Sequence, residues 1–264
     1  MRTDAEGLVI TEKCVGESDR LVTVLTKQKG VLRAFVQRPG RAKNGRLSAT
    51  RLFSYSRFTL FEGRDKYIID DARPIEVFFG LRNDIGRLAL AQYFCELSAA
   101  LAPQGSEAGD YLRLVLNALY LLCRGRRSDG IVKAAVEMRM LSLSGYMPDL
   151  VGCSECGRFE ADGMYFLPLS GRIVCGECGR PAGEPSVLLG RGAMAGLRHT
   201  VYAPFERVFS FSLSERGVRE LDAAAEAYVL HTLGRGFGTL DFYHAVAGGG
   251  AARPDAEKTE AKPS

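Results

Sequence analysis

Tryptophan is absent from the 264 residues, and histidine occurs only three times, at His199, His231 and His244. None of the three belongs to an HExxH pair, and no GxSxG or GxxxxGK[ST] run occurs, which removes the usual zinc-protease, serine-hydrolase and phosphate-loop chemistries. No apolar run reaches about eighteen residues, so no segment reads as a membrane-spanning helix. The opening MRTDAEGLVITEK is broken by charge and does not read as a signal peptide, which leads us to expect a cytoplasmic protein. Acid is nearly missing from one stretch. Between Lys27 and Arg64 stand Lys27, Lys29, Arg33, Arg38, Arg41, Lys43, Arg46, Arg51, Arg57 and Arg64, with Glu62 as the only acid, although the formal net charge is just +4. Such a segment suits a polyanion, whereas a plain charge run is read as a solvated face.

What remains is ordinary for globular protein, with 46% hydrophobic and 25% charged residues, and the length allows two or three domains. Of seven cysteines, Cys14, Cys95 and Cys123 are scattered and read as reduced thiols. The other four form two CxxC hooks, Cys153/Cys156 and Cys175/Cys178, at the spacing of a four-thiolate zinc site. Two intervening residues let a tight turn aim both sulfurs at one ion, and a hairpin brings the second pair opposite. Four thiolates leave zinc no open position, so the site is expected to be structural. The alternative is redox or disulfide-forming cysteines.

The pattern along the chain predicts an α+β multidomain protein. Residues 7–76 read as about five short strands rich in β-branched and aromatic residues, with turns at Gly30 and Gly63 and a basic loop from Pro39 to about Thr50. Strand count and charge point to an OB-type barrel. Helices follow over 84–101, 110–123 and 128–143, then the cysteine module, a short helix within 183–204, a long helix capped by Ser214, and a last helix over 240–246. The expected domains are an OB-fold nucleic-acid-binding domain at 1–79, an α-helical domain at 80–149 and 181–246, a zinc module at 150–180 inserted in it, and a disordered tail at 247–264.

On the barrel, Arg33, Arg38, Arg41, Lys43, Arg46, Arg51 and Arg57 are the candidate DNA-binding residues, and Phe53, Tyr55, Phe58 and Phe61 the candidate stacking rings. Alternation turns about half of those rings inward. Asp70/Asp71 and Glu17/Asp19 are acid pairs without a third ligand at motif spacing, and read as turn or surface carboxylates. No catalytic constellation emerges, and an enzyme is not expected.

Several runs carry a resemblance. Glu6-Gly-Leu-Val-Ile10, Gly16-Glu-Ser-Asp-Arg-Leu-Val-Thr23, Lys29-Gly30, Phe61-Glu-Gly63, Leu81-Arg-Asn-Asp84, Gly145-Tyr-Met-Pro148 with the cysteines, and His231-Thr-Leu-Gly234 together resemble the RecO family of bacterial recombinational repair proteins over about residues 4–246. The resemblance implies an OB fold, a helical domain carrying the zinc module, and binding of single- and double-stranded DNA. It further implies strand annealing, RecR and the C-terminal tail of single-strand binding protein as partners, and help in loading RecA. Arg20 in the Gly-Glu-Ser-Asp-Arg run pairs with Glu17 or Asp19, or reaches a phosphate. An acidic tail wants an apolar pocket with a cationic rim, for which Arg126, Arg127, Lys133 and Arg139 are candidates, beside Arg124. Two other readings compete with a DNA mediator. One is a zinc-ribbon adaptor or regulator binding RNA or a protein partner, and the other is a metal-dependent nuclease built on Asp70 and Asp71.

Overall fold

The computed structural model describes residues 2–15, 19–36, 44–63 and 66–247. Five strands, β1 (Arg2–Val15), β2 (Asp19–Thr26), β3 (Gly30–Val36), β4 (Ser54–Glu62) and β5 (Tyr67–Val77), close into a barrel of order β1-β2-β3-β5-β4. All pairs are antiparallel except β3 with β5, where Ala34 faces Tyr67 and Phe35 faces Ile68. This is the OB-type arrangement. Alternation explains why its strands read as continuous apolar runs. Val9, Val24 and Leu32 fill the barrel, while Leu8, Leu25 and Val31 face the other way into a second core shared with the helices.

The expected basic loop is in part a helix, α1 (Asn44–Ala49), lying against β4 and β5. Its carbonyls are taken by hydroxyls from the following strand: Ser54 Oγ donates to Ser48 and Ser56 Oγ to Ala49, at 2.7 and 2.8 Å. Short polar side chains therefore fasten it where a loop was read.

Three helices follow: α2 (Ile85–Leu101), α3 (Gly109–Arg124) and α4 (Asp129–Leu143). Asp84 caps α2 by accepting from the Arg87 amide at 3.0 Å, and α2 is apolar on most sides because it is the central strut, with Leu90, Tyr93, Phe94 and Leu97 fully buried. The α2–α3 connection is fastened to the β2–β3 turn by backbone bonds: Val31 N to Pro103 O (2.8 Å), Gly105 N to Lys29 O (3.0 Å) and Ala108 N to Lys27 O (2.9 Å). At Gly30, with φ +61°, a Cβ would meet the Pro103 carbonyl oxygen at 1.9 Å, so only glycine admits this latch.

The cysteine module carries β6 (Gly163–Leu167) and β7 (Arg172–Cys175). A third strand, β8 (Val187–Gly190), pairs with β6, so the module's sheet reaches residue 190 and passes the expected boundary at 180. The chain then runs through α5 (Arg191–Tyr202), α6 (Glu215–Leu233) and α7 (Gly238–Ala247). Ser214 caps α6 by accepting from Gly217 N at 3.2 Å, and Gly234 ends it in the left-handed conformation. Among the described residues no helix is long and apolar enough to cross a membrane.

Candidate metal centre and nucleic-acid interface

The two CxxC turns meet as their spacing requires. The Sγ atoms of Cys153, Cys156, Cys175 and Cys178 all lie within 4.8 Å of one another, with Cys153–Cys178 at 3.9 Å and Cys156–Cys175 at 3.7 Å. A tetrahedron with metal–sulfur bonds of about 2.3 Å has sulfur–sulfur edges of about 3.8 Å, so the cage fits a zinc-sized ion. Burial opposes ionisation of Cys153, but amides of Cys175, Cys156 and Glu155 outweigh it and bring its pKa down to about 6. Cys178, hydrogen-bonded to the thiols of Cys156 and Cys175, is pushed up to about 12. Four crowded sulfurs therefore cannot all ionise without a cation among them. The module is anchored by Arg198 of α5, whose guanidinium donates to the Leu150 and Phe159 carbonyls at 2.7 and 2.6 Å and lies 3.9 Å from the Phe159 ring centroid.

On the barrel the expected DNA residues are dispersed. Arg38, Arg41 and Lys43 lie outside the described residues. The Arg46 guanidinium donates to the Ile69 carbonyl, so it holds α1 to β5. Arg57 is exposed and donates to Glu6 at 2.6 Å, an interaction that holds the Glu6 carboxyl below its usual range. Arg51 sits 3.6 Å from Glu12. Among the described residues of that set, Arg33 alone opens into a groove of 920 Å³, and there it meets Lys13, Lys29 and Lys66, which the sequence reading did not place in the site. Alternation along β2 and β3 was the available signal for Arg33, which pairs with Thr23 on the outward face, whereas a register shift between Val9 and Thr11 breaks the parity on β1 and hid Lys13. Of the candidate rings, Phe58 and Phe53 are buried, Tyr55 is half-buried with its hydroxyl on Glu6, and Phe61 is exposed.

Of the acids expected beside Arg20, Glu17 lies outside the described residues, and a further partner, Glu12, is in place. Arg20 donates to Glu12 Oε1 at 2.6 Å, and Glu12 Oε2 accepts the Leu52 amide at 3.1 Å, tying β1, β2 and the turn before β4 together. Asp70 pairs with Arg2 at 2.8 Å and Asp71 with Arg73 at 3.3 Å, and among the described residues the four cysteines form the one cluster able to hold a metal.

The model of the recombination protein O N-terminal domain matches residues 1–78, and that of its C-terminal domain matches residues 82–241. The chain belongs to the RecO family. It is similar to the DNA repair protein RecO of Acetivibrio thermocellus, at 33% identity over 89% of this chain and 94% of that protein. Its similarity to the DNA repair protein RecO of Symbiobacterium thermophilum is 31%, over 86% and 90%. To that of Pelotomaculum thermopropionicum it is 29%, over 94% and 97%.

Within this RecO-family chain the expected cationic rim needs correction. Lys133 has no exposed surface; its Nζ lies 3.1 Å from Glu137, 3.0 Å from Asp222 and 2.9 Å from Glu226, deep between α4 and α6. A side chain paired with three carboxyl groups and closed off from solvent cannot rim a pocket. Arg127 donates to the Phe211 carbonyl at 3.2 Å, and Arg126 is exposed. Arg139 donates to the Ala203 carbonyl at 2.6 Å while its Nε is buried without a partner. Ala203 belongs to an apolar recess of 480 Å³ beside α5, walled by Val151, Phe159, Arg198 and Tyr202.

Proposed function

We propose that the protein is a non-enzymatic mediator of recombinational DNA repair that binds single and double strands and anneals complementary ones. The observation that carries this reading is the closed barrel bearing a cationic outer groove, in a chain whose two halves match the two RecO domains. Lys and Arg on such a face displace counterions from phosphates and give affinity largely blind to sequence, which suits a protein that must work on any damaged locus. Two strands whose charge is screened on one protein surface approach each other without mutual repulsion, and that is the physical content of annealing. In the cell the protein acts in the cytoplasm on nucleoid DNA, with RecR as partner in helping to load RecA.

The cysteine cage holds zinc in this reading, through Cys153, Cys156, Cys175 and Cys178. The ion supplies folding energy, with no open position for water. The cage packs into the same core as α5 and α6, so it stiffens the helical domain.

The tail of single-strand binding protein takes the recess beside α5. Its apolar wall suits a hydrophobic terminal side chain, and Arg198 and Arg139 supply positive charge for the carboxylate. Ala195 is exposed on that wall, so Ala195→Glu adds bulk and like charge there. Binding of a labelled tail peptide should fall at least tenfold by fluorescence anisotropy while affinity for bare single strands stays constant. Unchanged tail binding removes this placement.

A further inference from the structure

The groove that collects Arg33 has two unlike walls. One is the outer face of β1, β2 and β3. Thr11 pairs across the sheet with Thr23, their hydroxyls 2.7 Å apart, and Thr23 pairs with Arg33, so a row of hydroxyls ends in a guanidinium. Lys13 stands one pleat further along β1, and Lys66 closes the far side with its Nζ 5.5 Å from the Phe35 ring centroid. The other wall comes from the helical domain, where Ala99, Gln104 and Gly105 line the groove. That wall is fixed, because the α2–α3 connection is bonded to the β2–β3 turn.

One cation in the groove is held back. Lys29 donates to Glu62 Oε2 at 2.8 Å, and the Tyr67 hydroxyl donates to Glu62 Oε1 at 3.0 Å. Glu62 is the single acid in the long basic stretch, and it sits where the cations converge. Among the described residues, Lys29 is the one groove cation with a carboxylate partner.

We infer that one DNA strand runs through this groove between barrel and helical domain, its phosphates on Lys13, Arg33 and Lys66, and that Glu62 moderates its grip by occupying Lys29. A flanked groove favours a single strand, which is narrow and pliant, over a duplex. A mediator that hands strands on gains from a brake on affinity. The inference rests on the DNA-binding reading and gives it a track, one that includes the helical domain.

Each cation removed should lower the slope of log affinity against log salt by about 0.7, the value for one single-strand phosphate contact. Glu62→Gln should tighten binding of an unstructured oligonucleotide about threefold at low salt. Gln104→Glu, on the helical wall, should weaken it by a similar factor, the size expected of one exposed charge pair. Asn117→Asp, an equal change at an exposed position of α3 outside the groove, serves as the control. All are read by anisotropy on the full chain, with melting temperature confirming the fold. If Gln104→Glu binds like Asn117→Asp and Glu62→Gln binds like the parent, the groove is not the track, although the protein still binds DNA. If the parent itself fails to bind single strands, the proposed function falls and the track with it.

Discussion

Lys133 shows what a single side chain can do against its type. It is paired with Glu137 on its own helix and with Asp222 and Glu226 on α6, while the Tyr93 hydroxyl donates to Glu137 at 2.9 Å. Burial works against its charge, but the three carboxylates outweigh that and raise its pKa. Removing one partner of a buried ion pair strands the others, so Lys133→Met should cost about 3–5 kcal/mol in chemical denaturation. Glu137 behaves oppositely to a surface acid. Burial first, and then the charges of Asp222 and Glu226, push it up to about 8 against the attraction of Lys133. A carboxyl with a raised folded pKa favours folding most below its unfolded value and loses that contribution as pH rises to about 8. Glu137→Gln should therefore match the parent's melting temperature below about pH 4.5 and exceed it by a growing margin as pH rises from there to about 8. A constant difference across that range would show that Glu137 is ionised throughout.

At the scale of elements, the cysteine module tests how far local stability spreads. Its cage residues Cys153 and Cys175 share a core with Phe166, Leu197 and Tyr228, while the barrel interior is a separate cluster. Metal binding at such sites is largely folding energy, so chelation or Cys153→Ser should strip zinc and lower the melting temperature by many degrees. Amide exchange should then quicken in β6 to β8 and α5, and stay slow in β2 and β4. Exchange that is uniform, or unchanged, would contradict a structural metal. The cage and the strands were legible because both are local: CxxC spacing and β-branched runs are read from neighbours in sequence. So was the cap at Ser214. What was not legible is where a charge points once helices pack. Lys133 meets Asp222 only because α4 and α6, some ninety residues apart in sequence, lie side by side. In the same way α1 is held by hydroxyls of the next strand, and β8 joins its sheet across a long connection.

Over the whole molecule, the unplaced part was the joining of the two halves. Composition announces a basic barrel and an apolar helical domain, yet the latch at Gly30 and Pro103 depends on one glycine φ and a few backbone bonds. That latch turns two domains into one surface, and the groove exists only because of it. α7 packs against α2. Thr239 donates to Glu96 at 2.6 Å, His244 pairs with Glu226 at 2.8 Å, and the Phe237 ring meets Tyr93 edge-on at 5.5 Å between centroids. A single frame thus carries the cationic groove, the apolar recess beside α5 and the cysteine cage.

The most direct measurement is annealing of complementary oligonucleotides, bare and coated with single-strand binding protein, across a salt series, with magnesium-dependent cleavage scored in the same lanes. A mediator anneals coated strands, loses that activity as salt rises, loses most of it in Lys13/Arg33/Lys66 triple alanine protein, and leaves every strand intact. Cleavage without annealing would mark a nuclease. Annealing indifferent to salt and to those three cations would contradict the electrostatic basis of the function.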